Sequence, residues 1–224
     1  MEDAIRHALP DINSRRRLQW LLAPVMILTV ALGWKYPLLG FIVPVAMAAG
    51  MIGGFFRGRY VCGNLCPRGS FIDRILARVG GERPIPALFR NLRFRWAVFA
   101  LLMGFMAWRL SLDPTSWQHW GTVFWSMCAL TTGIAVILGL LYHPRSWCAF
   151  CPVGTSANAL GGHKQPLEIA SSCRECGKCE KVCAMNLEIV RHKSTGVVTE
   201  RDCLRCSECV ATCPAAALKW PEAA

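Results

Sequence analysis

Cys173-Arg174-Glu175-Cys176-Gly177-Lys178-Cys179-Glu180-Lys181-Val182-Cys183, followed by Cys203-Leu204-Arg205-Cys206-Ser207-Glu208-Cys209-Val210-Ala211-Thr212-Cys213-Pro214, carries one spacing twice, C-x2-C-x2-C-x3-C. Zinc sites prefer separated cysteine pairs, and a disulfide framework does not space thiols this tightly and twice. The spacing is that of a two-cluster iron–sulfur domain, in which the fourth cysteine of each run serves the other run's cluster. One [4Fe–4S] cluster is therefore expected on Cys173, Cys176, Cys179 and Cys213, and a second on Cys203, Cys206, Cys209 and Cys183. The cross-over ties both runs into one unit, so that cluster binding and folding become one event.

Outward from these runs the composition changes. The 224 residues are 54% hydrophobic, too apolar for a soluble ferredoxin. The apolar residues gather before residue 143 and the cysteines after it. The expected fold is a membrane protein of four transmembrane α-helices in two repeated hairpins, joined to a small α+β ferredoxin domain of the bacterial two-cluster type. The boundaries follow the composition: a polar tail at 1–17, a membrane domain at 18–160, and the ferredoxin domain at 161–224. At about 60 residues the last unit is too small to be held by core burial alone, and the clusters act as its staples. Thiolates that hold iron need a reducing compartment, despite the thirteen cysteines. No cleavable signal peptide is expected from the polar start.

The apolar runs at 18–34, 38–56, 94–112 and 121–142 supply the four spans. Arg109 lies near a span end, where it can snorkel, and Pro24 and Pro44 fall inside spans, which membrane helices tolerate. Positive charge sets the orientation. Arg6, Arg15, Arg16 and Arg17 precede the first span, and the loop at 57–95 holds nine arginines against Asp73 and Glu82. By the positive-inside rule, both termini and the loops at 57–95 and 143–160 are cytoplasmic, in a bacterial inner membrane. The net charge of +11 belongs to membrane flanks, since the ferredoxin region from His163 onward is nearly balanced, with nine basic and eight acidic residues. Nucleic acid is not an expected partner.

An internal repeat follows the second and fourth spans. Arg59-Tyr60-Val61-Cys62-Gly63-Asn64-Leu65-Cys66-Pro67-Arg68-Gly69 is matched by Arg145-Ser146-Trp147-Cys148-Ala149-Phe150-Cys151-Pro152-Val153-Gly154. Duplicated membrane units place functional sites at their shared interface, so the four thiols can converge. These motifs, with the terminal ferredoxin domain, resemble the NapH/NosR-type membrane polyferredoxins, a group that includes copper-reducing assembly factors of the CcoG type. The resemblance covers nearly the whole chain. Its usual pattern puts three residues between paired cysteines; Cys62 and Cys66 fit, whereas Cys148 and Cys151 have two. It implies electron delivery in nitrate- and nitrous-oxide-respiring systems and related quinol-linked chains. The extracytoplasmic flavin domain of larger NosR-type members is not seen, so no flavin is expected.

Four readings of Cys62, Cys66, Cys148 and Cys151 stay open: a third iron–sulfur cluster, a soft metal such as Cu(I), a redox dithiol, or turn cysteines without a cofactor. Cys128, alone in the fourth span, reads as packing. His119, between Trp117 and Trp120, reads as part of an interfacial aromatic belt. The histidines His7, His119, His143, His163 and His192 offer no pair within the spans, so haem b is not expected. Residues 187–190 and 196–199, around a polar turn, read as a hairpin. Ala184 stands where a proline usually follows the fourth cysteine. No nucleotide loop or acid–base pair is visible. The chain reads as an electron-transfer subunit of an oxidoreductase complex rather than a complete enzyme. It would relay electrons between the quinone pool or a membrane partner and an oxidoreductase or quinol-oxidising subunit. A metal-handling maturation factor, for example one that reduces copper, is the alternative.

Overall fold

The computed structural model describes residues 12–221. Residues 1–11, with Arg6 and His7, and 222–224 lie outside the described residues. Four long helices dominate: α1 (Ile12–Leu32), α2 (Ile42–Arg57), α6 (Leu92–Ser111) and α7 (Trp117–Leu141). A 3-10 turn, Pro37–Phe41, leads into α2. Pro44 falls in the first turn of α2, where its missing N–H would have no intrahelical partner anyway. Asn91 caps α6 by accepting from the Arg93 amide at 2.9 Å, and Ser116 caps α7 by accepting from the His119 amide at 3.2 Å. Helix α1 includes Arg15–Arg17, which the sequence put in a polar tail.

The segments Pro37–Arg57 and Trp117–Leu141 are long and apolar enough to cross a membrane by length and composition. Helices α1 and α6 carry arginines at 15–17 and at 93, 95 and 109. All four long helices expose large apolar side chains, among them Leu21 and Ile27, Ile52 and Phe55, Leu101 and Phe105, and Leu130 and Ile137. Their apolar faces thus point outward as well as into the core of Leu102, Met127, Ala135, Trp147 and Phe150.

Short helices connect and interlock the long ones: α3 (Tyr60–Asn64), α4 (Pro67–Arg74), α5 (Ala87–Arg90), α8 (Ser146–Phe150) and α9 (Pro152–Gly161). Helix α2, from the first sequence repeat, packs on α9 from the second. A Cβ on Gly54 would lie 2.8 Å from Ala157 Cα, and one on Gly161 would run into the carbonyl of Gly54. Reciprocally, Gly139 of α7 lets Leu76 of the first repeat approach; a Cβ there would lie 2.6 Å from its Cδ2. Close helix approach through small residues is the usual means of packing where no water drives association.

Two buried carboxylates fasten the end of the bundle at which both cysteine pairs sit. Asp73 accepts from Arg145 at 2.7 and 2.8 Å, from Arg15 at 3.2 Å and from Gln19 at 2.9 Å. Asp202 accepts from Arg59 at 2.8 Å, from Arg95 at 2.8 and 3.0 Å, and from Asn158 at 2.6 Å. Asp202 belongs to the small domain, so this second knot also docks that domain. Glu208 adds pairs with Arg15 at 2.7 Å and Arg16 at 2.9 Å.

The small domain has a three-stranded antiparallel sheet, order β2-β1-β3, with β1 (Leu167–Ile169) between β2 (Val197–Val198) and β3 (Leu218–Lys219). Leu167 pairs with Val198 and Ile169 with Leu218. Helices α10 (Lys178–Lys181) and α11 (Glu208–Thr212) complete it. Its core is Leu167, Ile169, Met185, Leu187, Ile189, Val198, Leu204 and Leu218. The hairpin expected across 187–199 does not form. The Glu180 carboxylate takes the Val190 amide at 2.8 Å, Val190–Thr195 winds as a 3-10 helix closed by Gly196 at φ +70°, and β2 pairs with β1 instead.

Gly161→Ala forces a methyl group into the Gly54 backbone and should cost about 1–3 kcal/mol. Gly104→Ala meets nothing within 4 Å and should be neutral or slightly stabilising. Thermal unfolding of both variants in detergent checks the contrast; equal behaviour would refute the interlock. For Asp73, burial favours the neutral acid, but Arg145 and Arg15 hold the carboxyl below its ordinary pKa. A depressed folded pKa contributes stability above the unfolded value of about 3.9 and loses it as pH falls through the folded value. Asp73→Asn should therefore lose about 3–5 kcal/mol near pH 7, with a shallower decline below about pH 4. Denaturant unfolding at several pH values decides: parallel curves for wild type and variant would show that the carboxylate does not carry this stability.

Candidate functional site

Each cysteine pair is set by the same local structure. The chain leaves α2 through Gly58 at φ +54°, a left-handed turn that only glycine adopts easily. Arg59 precedes α3, which carries Cys62; Arg145 precedes α8, which carries Cys148. The second cysteine of each pair is extended, with φ/ψ of −70°/120° at Cys66 and −54°/136° at Cys151. The proline after each favours that extended backbone and then starts a helix, α4 at Pro67 and α9 at Pro152. The extra residue of the first pair is Leu65, between the end of α3 and Cys66, so the unequal spacing leaves both pairs in equivalent conformations.

The two arginines cross between repeats. Arg145, 1% exposed, donates to the carbonyl of Cys62 at 3.2 Å and of Gly69 at 3.4 Å. Its guanidinium also lies 3.5 Å from its own repeat's Cys148 Sγ. Arg59, fully buried, donates to the carbonyl of Cys148. The glycine of each Cys-Pro-x-Gly motif makes room: a Cβ on Gly69 would lie 3.1 Å from Arg145 Nη1, and one on Gly154 would lie 2.7 Å from Arg59 Nη2. Burial works against the charge on Arg145, and Asp73 more than restores it.

All four thiols, Cys62, Cys66, Cys148 and Cys151, line one cavity of about 150 Å³ at the end of the helix bundle. Arg59, Arg68 and Arg145 share its wall with five methionines, Met26, Met47, Met103, Met106 and Met127. Cys128 lines it too. Arg68 Nη2 reaches Cys128 Sγ at 3.5 Å and Thr131 Oγ1 at 2.8 Å. Along the chain Cys128 stands alone in its span and nothing marks Arg68; only the fold brings this residue of the Cys-Pro loop against the middle of α7. Burial pushes the Cys62 thiol up to about 12, against the pull of Arg59, and also raises Cys66. Metal binding here would have to displace protons.

In the small domain the cysteines ring two further cavities. Cys173, Cys176, Cys179 and Cys213 line one; Cys183, Cys203, Cys206 and Cys209 line the other. The fourth cysteine of each run thus stands with the other run's first three. The backbone repeats as well. Glu175 and Gly177 flank Cys176 at φ 52° and 68°, and Arg205 and Ser207 flank Cys206 at φ 52° and 61°. Asn186 and Ala216, each three residues beyond a fourth cysteine, sit at φ 48° and 46°. Left-handed non-glycine residues are costly and persist only where surroundings enforce them. Burial pushes Cys203 up to about 12 and Cys179 to about 11, and raises Cys183 and Cys209. Among the described residues, no three His, Cys, Asp or Glu side chains close on a single metal-ion position. His119, in the first turn of α7, donates from Nε2 to the Arg109 carbonyl at 2.8 Å, at the end of the helix away from the Cys-Pro loops.

Residues 39–86 and 123–168 each match the 4Fe-4S binding domain family, and residues 172–218 match the 4Fe-4S dicluster domain family. The two copies of the first coincide with the internal repeat. An uncharacterized protein of Methanocaldococcus jannaschii is 23% identical over 178 residues, 74% of this chain and 65% of that protein. The ferredoxin-type protein NapH of Escherichia coli is 27% identical over 171 residues, 69% of this chain and 59% of NapH. YccM of Escherichia coli, named as an electron transport protein, is 28% identical over 103 residues, 44% of this chain and 26% of YccM. The chain thus spans less than two thirds of each of these relatives. No solved structure matches it significantly. The duplicated 4Fe-4S binding domain, the dicluster domain and the relatedness to NapH together support a polyferredoxin of the NapH type.

Proposed function

We propose that the chain is a membrane-anchored iron–sulfur electron carrier that relays electrons between the quinone pool or a membrane partner and an oxidoreductase. The single observation that carries the reading is the sorting of twelve cysteines into three quartets, each around its own cavity. Cys173, Cys176, Cys179 and Cys213 would hold one [4Fe–4S] cluster, and Cys183, Cys203, Cys206 and Cys209 another. Cys62, Cys66, Cys148 and Cys151 would hold a third iron–sulfur cluster. Such clusters supply one-electron transfer, with potentials set by burial, charge and hydrogen bonding. The chain's own part is to fix the thiols, exclude water from them and place positive charge beside them. Arg59, Arg68 and Arg145 do this at the third quartet.

Four membrane crossings fit the outward apolar faces of the long helices. Trp34, Tyr36, Trp108 and Trp117 are exposed near the helix ends opposite the cysteines, as interfacial aromatics are. The start of α1, the end of α2, the start of α6 and the end of α7 all meet the two knots at Asp73 and Asp202. An even number of crossings would keep both termini on one side, and the arginine-rich segments support a cytoplasmic side. NapH is a ferredoxin-type protein by name; by analogy the partner here is a larger redox complex.

A specific observation favours a second reading, a soft-metal handling factor: five methionine thioethers and Cys128 line the cavity of the third quartet, and Cu(I) prefers such donors. Anaerobic iron, copper and acid-labile sulfide analysis separates the two. The carrier reading expects about twelve irons per chain, falling to about eight in Cys62→Ser/Cys148→Ser. About eight irons in both proteins, with copper bound by the wild type and lost in the variant, would instead establish metal handling at this cavity.

A further inference from the structure

Resting on the cluster reading above, the geometry points to a fixed polarity in the small domain and to a docking face at its outer end. We infer that the Cys183/Cys203/Cys206/Cys209 centre faces the helix bundle. The Cys173/Cys176/Cys179/Cys213 centre faces away, and the basic surface around Cys176 receives an acidic patch of a soluble redox protein.

The inner assignment rests on what seats the loop 202–206. A Cβ on Gly63, between Cys62 and Cys66, would lie 2.8 Å from Leu204 Cβ, so only glycine lets the two cysteine loops touch. Asn64 Nδ2 reaches the Arg205 carbonyl at 3.5 Å. Asp202, adjacent to Cys203, binds Arg59, whose other nitrogen donates to the Cys148 carbonyl. A continuous bonded path therefore runs from Cys203 through Asp202 and Arg59 to Cys148. The Cys183 side is seated as well: Arg90 donates to the carbonyls of Met185 at 2.7 Å and Asn186 at 2.9 Å.

The outer assignment rests on exposure and charge. Among the described residues, Cys176 is the one exposed cysteine of thirteen. Residues 173–181 bond within the small domain, Glu175 to Lys193 at 2.5 Å and Glu180 to the Val190 amide. Lys193 neutralises Glu175, which leaves Arg174, Lys178 and Lys181 exposed and net positive around Cys176. Charge of one sign around an exposed redox edge steers a partner of opposite sign and raises its encounter rate. The exchange itself is balanced by one electron: the outer centre loses what the partner gains, or the reverse, with no bond made or broken.

The test uses the full chain in detergent, reduced with dithionite. Power saturation of the cluster EPR signals is recorded with and without a dysprosium chelate, which relaxes paramagnets near the surface. Cys176→Ser and Cys206→Ser assign each signal to its quartet. The chelate should relieve saturation of the signal lost in Cys176→Ser and leave the signal lost in Cys206→Ser nearly unchanged; equal or reversed effects overturn the polarity. A wild type without cluster signals would overturn the cluster reading itself, a distinct result. An acidic plant-type [2Fe–2S] ferredoxin serves as the docking probe. Lys178→Glu/Lys181→Glu, with cluster signals intact, should bind it about tenfold more weakly and with a shallower salt dependence. Failure of the wild type to bind the probe at low salt, or unchanged binding by the variant, would overturn the docking face.

Discussion

A guanidinium buried at the end of an apolar helix bundle must find its hydrogen-bond acceptors within the protein, because water is not there to supply them. Arg59 and Arg145 meet that demand by reaching out of their own repeats. Arg145 takes Asp73 and the carbonyls of Cys62 and Gly69 from the first repeat. Arg59 takes the carbonyl of Cys148 from the second. Much else in the architecture serves this exchange. The glycine of each Cys-Pro-x-Gly motif is small so that the opposite arginine can pass, and the carboxylates are buried because the guanidinium groups are. The thiols come together because the carbonyls of Cys62 and Cys148 are held by arginines of the other repeat. Removing one member of such a knot strands the rest, which is why a buried ion network resists piecemeal change.

The two halves have nevertheless diverged, and the divergence explains how the small domain is joined on. Seven residues after Cys66 stands Asp73; seven after Cys151 stands Asn158. The second repeat therefore lacks its own carboxylate. Asp202 of the small domain supplies it, accepting from Asn158, Arg59 and Arg95 together. A domain with a short sheet and a core of eight aliphatic and thioether side chains has little stability of its own. Its docking thus completes the ion network of the bundle, while the bundle supplies arginines that the domain's loops need. Arg68 marks a second asymmetry. Its counterpart is Val153, so only one wall of the shared cavity carries a charge toward α7.

What the sequence revealed depended on the range of the interaction that carried it. Cysteine spacing is local and rigid, and it led to the expectation that Cys183 and Cys213 each serve the other run's cluster; in the fold each lines the cavity of the other run's first three cysteines. Long apolar runs marked the four long helices to within a few residues, except at the start of α1. There Arg15–Arg17 look like a solvated tail when read along the chain. In the fold Arg15 is paired with Asp73 and Glu208, so that Arg15–Arg17 lie within α1. The repeat was visible, but its reciprocity was not, since nothing local says that Arg145 serves Cys62. The hairpin read at 187–199 failed for a similar reason. Val197–Val198 have strand propensity, and a short strand pairs with whichever edge the fold presents, here β1. Arg68 against Cys128 was invisible because the two meet only when α4 and α7 share one cavity.

Placement of the cysteines constrains what the chain can do alone. The Cys-Pro loops lie at the end of the bundle where α1 and α6 begin and α2 and α7 end, and the small domain is fastened to that same end. The opposite end, with Trp34, Trp108, Trp117 and His119, has no thiol near it in the chain. If the long helices cross a hydrocarbon layer of about 30 Å, every proposed centre lies on one side of it. Electrons would then enter and leave at the same membrane face, and the chain would work as a lateral link between a donor at that surface and an acceptor in the adjoining aqueous phase. The helices on this view are an anchor and a frame. Their apolar exteriors hold the protein at the membrane, and their ends hold two arginines in the one place where the two Cys-Pro loops can meet.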